Sequence, residues 1–316
     1  MLFLLVAFLC TTVFTQQTLG DEYTRVTRPI VKKLEFKSDA ERKAYDEKTK
    51  PQIDGIPTGT KPAQPNAGRP TNRITAYIVG GTKASRGTIP WIAGIKTGDG
   101  SAFCGGSLIT ENAVLTAAHC AKNVAKFVVY LGMQNSQARS ESGRTVMTSK
   151  TKYVNKGYNK KLLIHDIAII KLPRKVSSNS FINTVKLPTA SDASKTFVNT
   201  TATIAGWGLT SDKSTKISKE LNYLDDRKVI SNSDCAATYG EIESTMICIS
   251  GSDKKAICSG DSGGPLTYKD ANGANVQIGI VSFSHPSSCV GFPQVFTRVS
   301  SYLKFISDHT GLKIED

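Results

Sequence analysis

No stretch of the chain reaches the roughly 18 consecutive apolar residues that a membrane-spanning helix needs. The longest run, Leu2 to Phe14, is interrupted by Thr11 and Thr12 and then stops. This argues against an integral membrane protein, and no membrane partner is expected. There is no C-x-x-C pair, and the adjacent His119 and Cys120 are too close to share a tetrahedral zinc site comfortably, so no metal is expected. No repeat recurs at a solenoid period. Cysteine is missing altogether between Gln17 and Tyr77, where Pro51, Pro57, Pro62, Pro65 and Pro70 stand among Gly, Thr, Lys and Asn. Such a stretch buries little and reads as linker or propeptide, not as a disulfide-stapled accessory domain. Acidic residues are in deficit, 26 Asp and Glu against 40 Lys and Arg, for a net charge of +14. A charge of this sign suits a solvated surface and leaves open a polyanion partner such as nucleic acid, anionic lipid or sulfated sugar.

Of the 316 residues, 39% are hydrophobic and 21% charged, which suits a globular core. The position and apolar length of the first run, followed by Gln16 and Gln17, predict a signal peptide over 1–16 and a secreted, extracellular protein. It lacks a basic n-region and an A-x-A exit, so the cut is placed only between about Thr15 and Gly20. Its removal takes Cys10 away and leaves Cys104, Cys120, Cys235, Cys248, Cys258 and Cys289. An even number in a secreted chain suits disulfides, though six cysteines allow many pairings among which sequence cannot choose. Residues 17–77 form the expected propeptide, with a short helix across Ser38 to Lys50 capped by Ser38 and Glu41.

The texture changes after Tyr77 to short apolar runs bounded by Gly, Asn, Ser and Pro. They are Pro90 to Ile95, Ala113 to Thr116, Phe127 to Leu131, Ile167 to Leu172, Ala202 to Trp207 and Gln277 to Phe283. Many short strands between turns predict one all-β unit over 78–316, a sandwich or barrel. Only Ser301 to Thr310 reads as helix, with Tyr302, Phe305 and Ile306 on one face and Gly311 as its stop.

Three segments carry chemistry: Thr116-Ala117-Ala118-His119-Cys120, Asp166-Ile167-Ala168-Ile169-Ile170 and Gly260-Asp261-Ser262-Gly263-Gly264-Pro265. A serine hydroxyl at its ordinary pKa is a poor nucleophile. It needs a base within hydrogen-bond reach and a third group that fixes the base's tautomer. His119, Asp166 and Ser262 supply one of each. Small residues around Ser262 let a substrate carbonyl and backbone N–H groups approach its oxygen together, and Gly260 frees its own N–H for an oxyanion hole.

Together with the order His, Asp, Ser and the segment Ile78-Val79-Gly80-Gly81, these motifs resemble those of the chymotrypsin-like (S1) serine endopeptidases, from Ile78 to about Asp308. The resemblance implies two six-stranded Greek-key antiparallel β-barrels with a C-terminal α-helix and the triad in the cleft between them. It implies His119 as general base and then acid, Asp166 as its orienter and Ser262 as nucleophile, with the N–H groups of Gly260 and Ser262 as oxyanion hole. It also implies the bridges Cys104–Cys120, Cys235–Cys248 and Cys258–Cys289. The reaction it implies is peptide-bond hydrolysis through an acyl-enzyme, without cofactor. Its partners would be protein or peptide substrates, an activating protease or the enzyme itself, and protein protease inhibitors.

In such zymogens a cut before the Ile-Val-Gly-Gly motif lets the new ammonium, here of Ile78, pair with the Asp before the nucleophile, Asp261. The residue before that bond is Tyr77, where trypsin-activated precursors carry Arg or Lys, so a chymotrypsin-like activator or the enzyme itself is expected to make the cut. Arg73 lies four residues earlier, and a cut there would leave the pairing blocked.

The floor of the primary pocket falls on Ala256, not on the Asp that selects Arg and Lys, and its walls on Ile257, Ser282, Phe283 and Ser284. Gln294 falls where glycine is common, and its amide is expected to bond Ser284 or a polar substrate side chain. Ser282-Phe283-Ser284, with the segment Gly291 to Val299, resembles arthropod chymotrypsins and brachyurin-type collagenases. The expected preference is Phe, Tyr or Leu before the scissile bond. The alternatives are an elastase-like preference and a non-catalytic, polyanion-binding relative, which the 28 basic residues against 18 acidic ones from Ile78 onward favour and the presence of all three triad residues opposes. Asn199-Thr200-Thr201 fits a glycosylation acceptor. His165, His285 and His309 read as solvated residues, and Glu141 as the lone carboxylate between Gly132 and Gly143, too few for calcium.

Overall fold

In β5 (Phe127–Leu131), residues 127, 129 and 131 are buried and the two between them half-buried, the period-two pattern of a strand with one face on a core. In the computed structural model, which describes residues 78–316, strands of this kind build the chain into two antiparallel sheets. The expected signal peptide, the propeptide with its helix, and Tyr77 lie outside the described residues.

The first sheet runs β6 (Thr145–Ser149), β5, β2 (Ile92–Thr97), β3 (Phe103–Thr110), β4 (Ala113–Thr116), β8 (Ala168–Lys171), β7 (Thr151–Val154). Only Lys150 separates β6 from β7, so the chain itself closes the sheet and the barrel has six staves. The second runs β10 (Asn222–Ile230), β11 (Met246–Ile249), β14 (Gln294–Arg298), β13 (Asn275–Phe283), β12 (Pro265–Lys269), β9 (Thr201–Gly206), and β10 pairs with β9 to close it. The two-residue β1 (Thr82–Lys83) adds to the outside of β10. Both barrels share one topology. In each, the fourth strand returns beside the first, β5 on β2 and β12 on β9, which is the Greek key.

Each barrel is filled from within. Ile95, Leu108, Phe127, Val129, Leu131 and Ile170 fill the first, and Ile204, Val229, Ile247, Leu266, Ile278 and Phe296 the second. A further layer, with Trp91, Phe103, Leu115, Ile169, Trp207 and Ile280, joins strands of both. The Trp207 ring meets Phe103 edge-on and its Nε1–H donates to the Gln134 carbonyl at 3.0 Å. That cross-barrel packing holds the facing loops in register, and the candidate site lies on those loops.

Three α-helices are described. α1 (Ala118–Ala121) is a single turn, and α3 (Leu303–Thr310) buries Leu303 and Ile306 and ends at Gly311, which takes a left-handed φ of 73°. The sequence reading missed α2 (Asn232–Tyr239). Its residues have no apolar stripe and only Cys235 is buried; the Ser231 hydroxyl caps it by accepting from Asp234 N–H at 3.0 Å. Glu141 folds the 132–144 loop, accepting from the N–H groups of Gln134 and Asn135 at 3.0–3.2 Å and from Arg144 Nη1 at 3.3 Å.

Candidate active site

His119 stands on α1, directly after β4. The bridge from its neighbour Cys120 to Cys104 on β3 pins that turn to the first barrel. Asp166 enters from a loop just before β8 and is fully buried. Two residues of that loop, Leu163 and His165, hold positive φ angles of 52° and 54°, a conformation that costs on the order of 1–3 kcal/mol for a side chain of this kind. Contacts hold His165 there: its Nδ1 lies 2.9 Å from the Tyr302 hydroxyl and its ring meets Tyr302 edge-on. His165 is thus a packed residue that shapes the approach to Asp166, not the solvated one expected from sequence. His309 also packs, stacked on Tyr153.

One Asp166 oxygen, Oδ1, accepts from the His119 backbone N–H at 2.8 Å. The other, Oδ2, faces His119 Nδ1 at 2.7 Å and accepts from the Ser282 hydroxyl at 2.7 Å. A carboxylate only accepts, so Nδ1 carries the hydrogen and Nε2 is left as the basic nitrogen. Burial opposes charging the imidazole, but the charge of Asp166 and its hydrogen bond outweigh it, and the His119 pKa is raised above its ordinary value. Ser282 is the contact that sequence reasoning missed. It was expected only as pocket wall, and nothing in a sequence links residues 116 positions apart.

Ser262 lies on the loop that leads from Cys258 into β12 of the second barrel, yet the loop rests on the first. Gly105 N–H donates to the Ser262 carbonyl at 2.8 Å. A Cβ on Gly263, whose φ is 80°, would fall 2.2 Å from Thr116 Oγ1 and 2.6 Å from the Gly105 carbonyl oxygen, so no side chain fits there. Gly260 also has a positive φ, 99°. Among the described residues, neither its N–H nor that of Ser262 donates to a protein acceptor, so both are free to meet a developing oxyanion. His119 and Ser262 line the same cavity. No hydrogen bond joins His119 to the Ser262 hydroxyl among the described residues, a contact of the kind that tightens when substrate binds.

Beside the nucleophile, the Asp261 carboxylate is buried against Gly206 and Gly208. It accepts from the N–H groups of Gly208 at 2.7 Å and Cys258 at 3.0 Å. No cation pairs with it among the described residues, and burial pushes its pKa up to about 7. Ile78 is fully buried in the core of the second barrel, and the next residue, Val79, bridges to Ala256.

The cavity that holds Ser262 has a volume of about 310 Å3. Its walls include Ile257, Ser282, Phe283 and Ser284, with Leu163, Leu209, Val281 and His285 and the Cys258–Cys289 bridge. The third bridge, Cys235–Cys248, ties α2 to β11 in the cluster that backs Phe283. Ala256 and Gln294 are fully buried and lie off this lining. Gln294 bonds neither Ser284 nor open space. Its Oε1 accepts from Ile257 N–H at 3.0 Å, and its Nε2 donates to the carbonyls of Ile257 at 3.3 Å and Cys289 at 3.2 Å. It is a clamp behind the wall, satisfied by backbone. Replacing it with Met leaves a buried N–H without a partner, and Gln294→Met is expected to lower unfolding free energy by about 1–3 kcal/mol in denaturant titration.

His285, expected to be solvated, forms part of the wall, stacked on Phe292 at 3.8 Å between ring centroids. Burial lowers its pKa, which favours the neutral ring. Asp212 is the carboxylate on the lining. It sits exposed at the rim and accepts from Ser288 Oγ at 2.8 Å and Cys289 N–H at 2.7 Å. Away from the cleft, Asn199 is exposed on the turn before β9 with a φ of 67°.

The family profile described as Trypsin matches residues 78–306. Brachyurin of Leptuca pugilator is 39% identical over 236 residues, covering 74% of this chain and 99% of that protein. Trypsin I-P1 of Gallus gallus is 39% identical over 232 residues, covering 72% and 87%. The solved structure of HL collagenase superposes with a TM-score of 0.67 at 35% identity, covering 75% of this chain and all of that one.

Proposed function

The chain belongs to the trypsin family of serine endopeptidases, and from that premise we propose that it is secreted as an inactive precursor, cut before Ile78, and then cleaves peptide bonds after Phe, Tyr or Leu. The observation that carries the catalytic assignment is the buried Asp166 carboxylate bonded to His119 beside the cavity that holds Ser262. In this reading Nε2 of His119 takes the Ser262 proton as the oxygen attacks the carbonyl. The Gly260 and Ser262 N–H groups stabilise the oxyanion, and His119 returns the proton to the leaving amine. Ser282 donates to the same Asp166 oxygen that faces Nδ1, so that the carboxylate keeps its aim while His119 is charged.

The preference for a large apolar residue rests on the cavity wall. Leu163, Leu209, Ile257, Val281 and Phe283 are apolar, and His285 is held neutral by burial. The position expected at the floor is Ala256 and offers no charge. The one carboxylate, Asp212, is at the rim with both oxygens engaged. Ser284 on the lining favours the second reading, an elastase-like preference for smaller residues, because a side chain there narrows the mouth. Secretion is supported by three disulfides, which persist in oxidising compartments, and by the exposed Asn199 acceptor.

Treating the chain that begins at Ile78 with a serine-acylating reagent is expected to place the adduct on Ser262 and stop cleavage of a peptide library after Phe, Tyr and Leu. Cleavage confined to bonds after Arg and Lys would overturn the specificity. No adduct and no cleavage would overturn the enzyme assignment and favour a polyanion-binding role.

A further inference from the structure

The charge of this protein is not shared between its barrels. From Ile78 to Val176, the half that holds the first barrel, 15 Lys and Arg face 4 Asp and Glu; from Ser177 to the end, 13 face 14. The excess reaches the catalytic cleft. A second groove of about 240 Å3 shares His119 and Ser262 with the first cavity and is otherwise lined by Thr97, Ser101, the Cys104–Cys120 bridge, Lys122, Tyr158 and Lys160. Lys122 and Lys160 supply its formal charge.

An aromatic ring positions Lys122. The Lys122 ammonium stands 5.1 Å over the Tyr158 ring, itself nearly buried, so its charge is held at the wall. Lys152 Nζ donates to the carbonyls of Ala121, Lys122 and Val124 of the same segment at 2.6–2.9 Å and adds a positive charge that no carboxylate pairs with among the described residues. The Lys126 side chain packs on Gly98 in the facing turn, and Lys150 follows the Phe127–Ser149 pair one residue on. Of the carboxylates nearby, Asp166 is already engaged by His119, and in the turn that carries Thr97 and Ser101 the Asp99 Oδ1 is taken up by Ser101 N–H at 3.1 Å and Ser101 Oγ at 2.8 Å, and by the Thr97 hydroxyl.

We infer that this groove receives the part of the substrate that follows the scissile bond and selects Asp or Glu there, with Lys122 and Lys160 as specificity-determining residues. The inference rests on the proposed peptidase activity. With the side chain before the bond in the first cavity, the leaving amine takes its proton from His119 and departs on the imidazole's side, where the groove is. Two exposed lysines favour one carboxylate modestly and in a salt-dependent way.

The test uses the Ile78 form and paired peptides identical up to the scissile bond, with Asp, Gln or Lys at the first two positions after it. The kcat/KM for the Asp peptide is expected to exceed that for Gln by about three- to tenfold at low salt. The ratio should shrink towards one in molar salt, and also in Lys122→Gln/Lys160→Gln, where the ratio itself is the readout. Equal rates, or a preference that survives the double variant, overturn the inference. An ester with no residue after the scissile bond reports the peptidase activity separately. If that is absent, binding of the same labelled peptides to the Ser262→Ala chain by fluorescence anisotropy still ranks Asp against Gln. Lysine-dependent retention of heparin without discrimination among the peptides would assign the surface to a sulfated glycan and overturn the inference.

Discussion

Replacing Ser262 with Ala in the chain that begins at Ile78 is expected to lower kcat by roughly four to six orders of magnitude, with KM little changed. The hydroxyl makes no structural hydrogen bond among the described residues, and its carbonyl keeps the contact from Gly105, so the loop and both N–H donors stay in place. What is lost is the covalent route, and the residual rate is what the oxyanion donors and the cavity supply to attack by water. The pH profile of the unsubstituted enzyme checks the partner. Because Asp166 raises the His119 pKa in the free enzyme, the acid limb of kcat/KM should lie above the ordinary histidine value of about 6.5. Activity falls as the pH drops through it, since Nε2 then already carries a proton and cannot accept the one from Ser262. Asp166→Asn should abolish that displacement and cost about four orders of magnitude, because an amide can hold the wrong tautomer. A limb unchanged in Asp166→Asn would sink the assignment.

The sequence makes the chemistry more legible than the architecture that positions it. His119, Asp166 and Ser262 announce themselves because each sits among small or apolar residues at a strand end, and the structure brings them to one cleft. All six apolar runs fall mostly within single strands, from β2 to β13, and Ile167 to Leu172 marks β8, since a run buried on both faces leaves a continuous apolar signal. Strands such as β6, where Thr145 and Ser149 share the inward face with Met147, and β10, with exposed Asp225 and Asp226 at its bulge, were not legible, because their apolar alternation is broken and their pairing is non-local. The helix α2 was hidden for a related reason: a disulfide anchors it in place of an apolar stripe. The partners of polar residues were not legible where tertiary contacts decide them. Ser282 reaches Asp166, Gln294 turns to the backbone behind the pocket, and His165 and His285 find aromatic rings.

Without the cut before Ile78, kcat/KM is expected to be at least two to three orders of magnitude lower, and Asp261→Asn in the cut enzyme should reproduce most of that loss. Asp261 adjoins Ser262, and its carboxylate is buried with two N–H donors and a pKa pushed up to about 7 by burial. In the uncut chain the ordered loop therefore binds a proton that the disordered loop, with an ordinary carboxyl near about 3.9, gives up. Between about pH 4 and pH 7 the ordered form holds more protons than the disordered one. Its stability is greatest at the acid end of that window and falls as the pH rises to about 7. Cutting supplies an ammonium on Ile78, whose side chain is already buried in the second barrel. A matched pair removes the penalty on the charged carboxylate, so the cut enzyme should keep its oxyanion donors aligned through neutral pH. The ordered form is then lost in alkali, as the α-amino group, ordinarily near about 7.7–8.0 and held higher by its partner, gives up its proton. Activity against pH for cut and uncut chains, with N-terminal sequencing of each, reads both effects. Because Tyr77 precedes the bond, a chymotrypsin-like protease or the enzyme itself should generate the Ile78 terminus, and Tyr77→Arg should transfer activation to trypsin. Full activity in a form that begins at Ile74 would refute the mechanism, since four residues would then stand between the ammonium and Asp261.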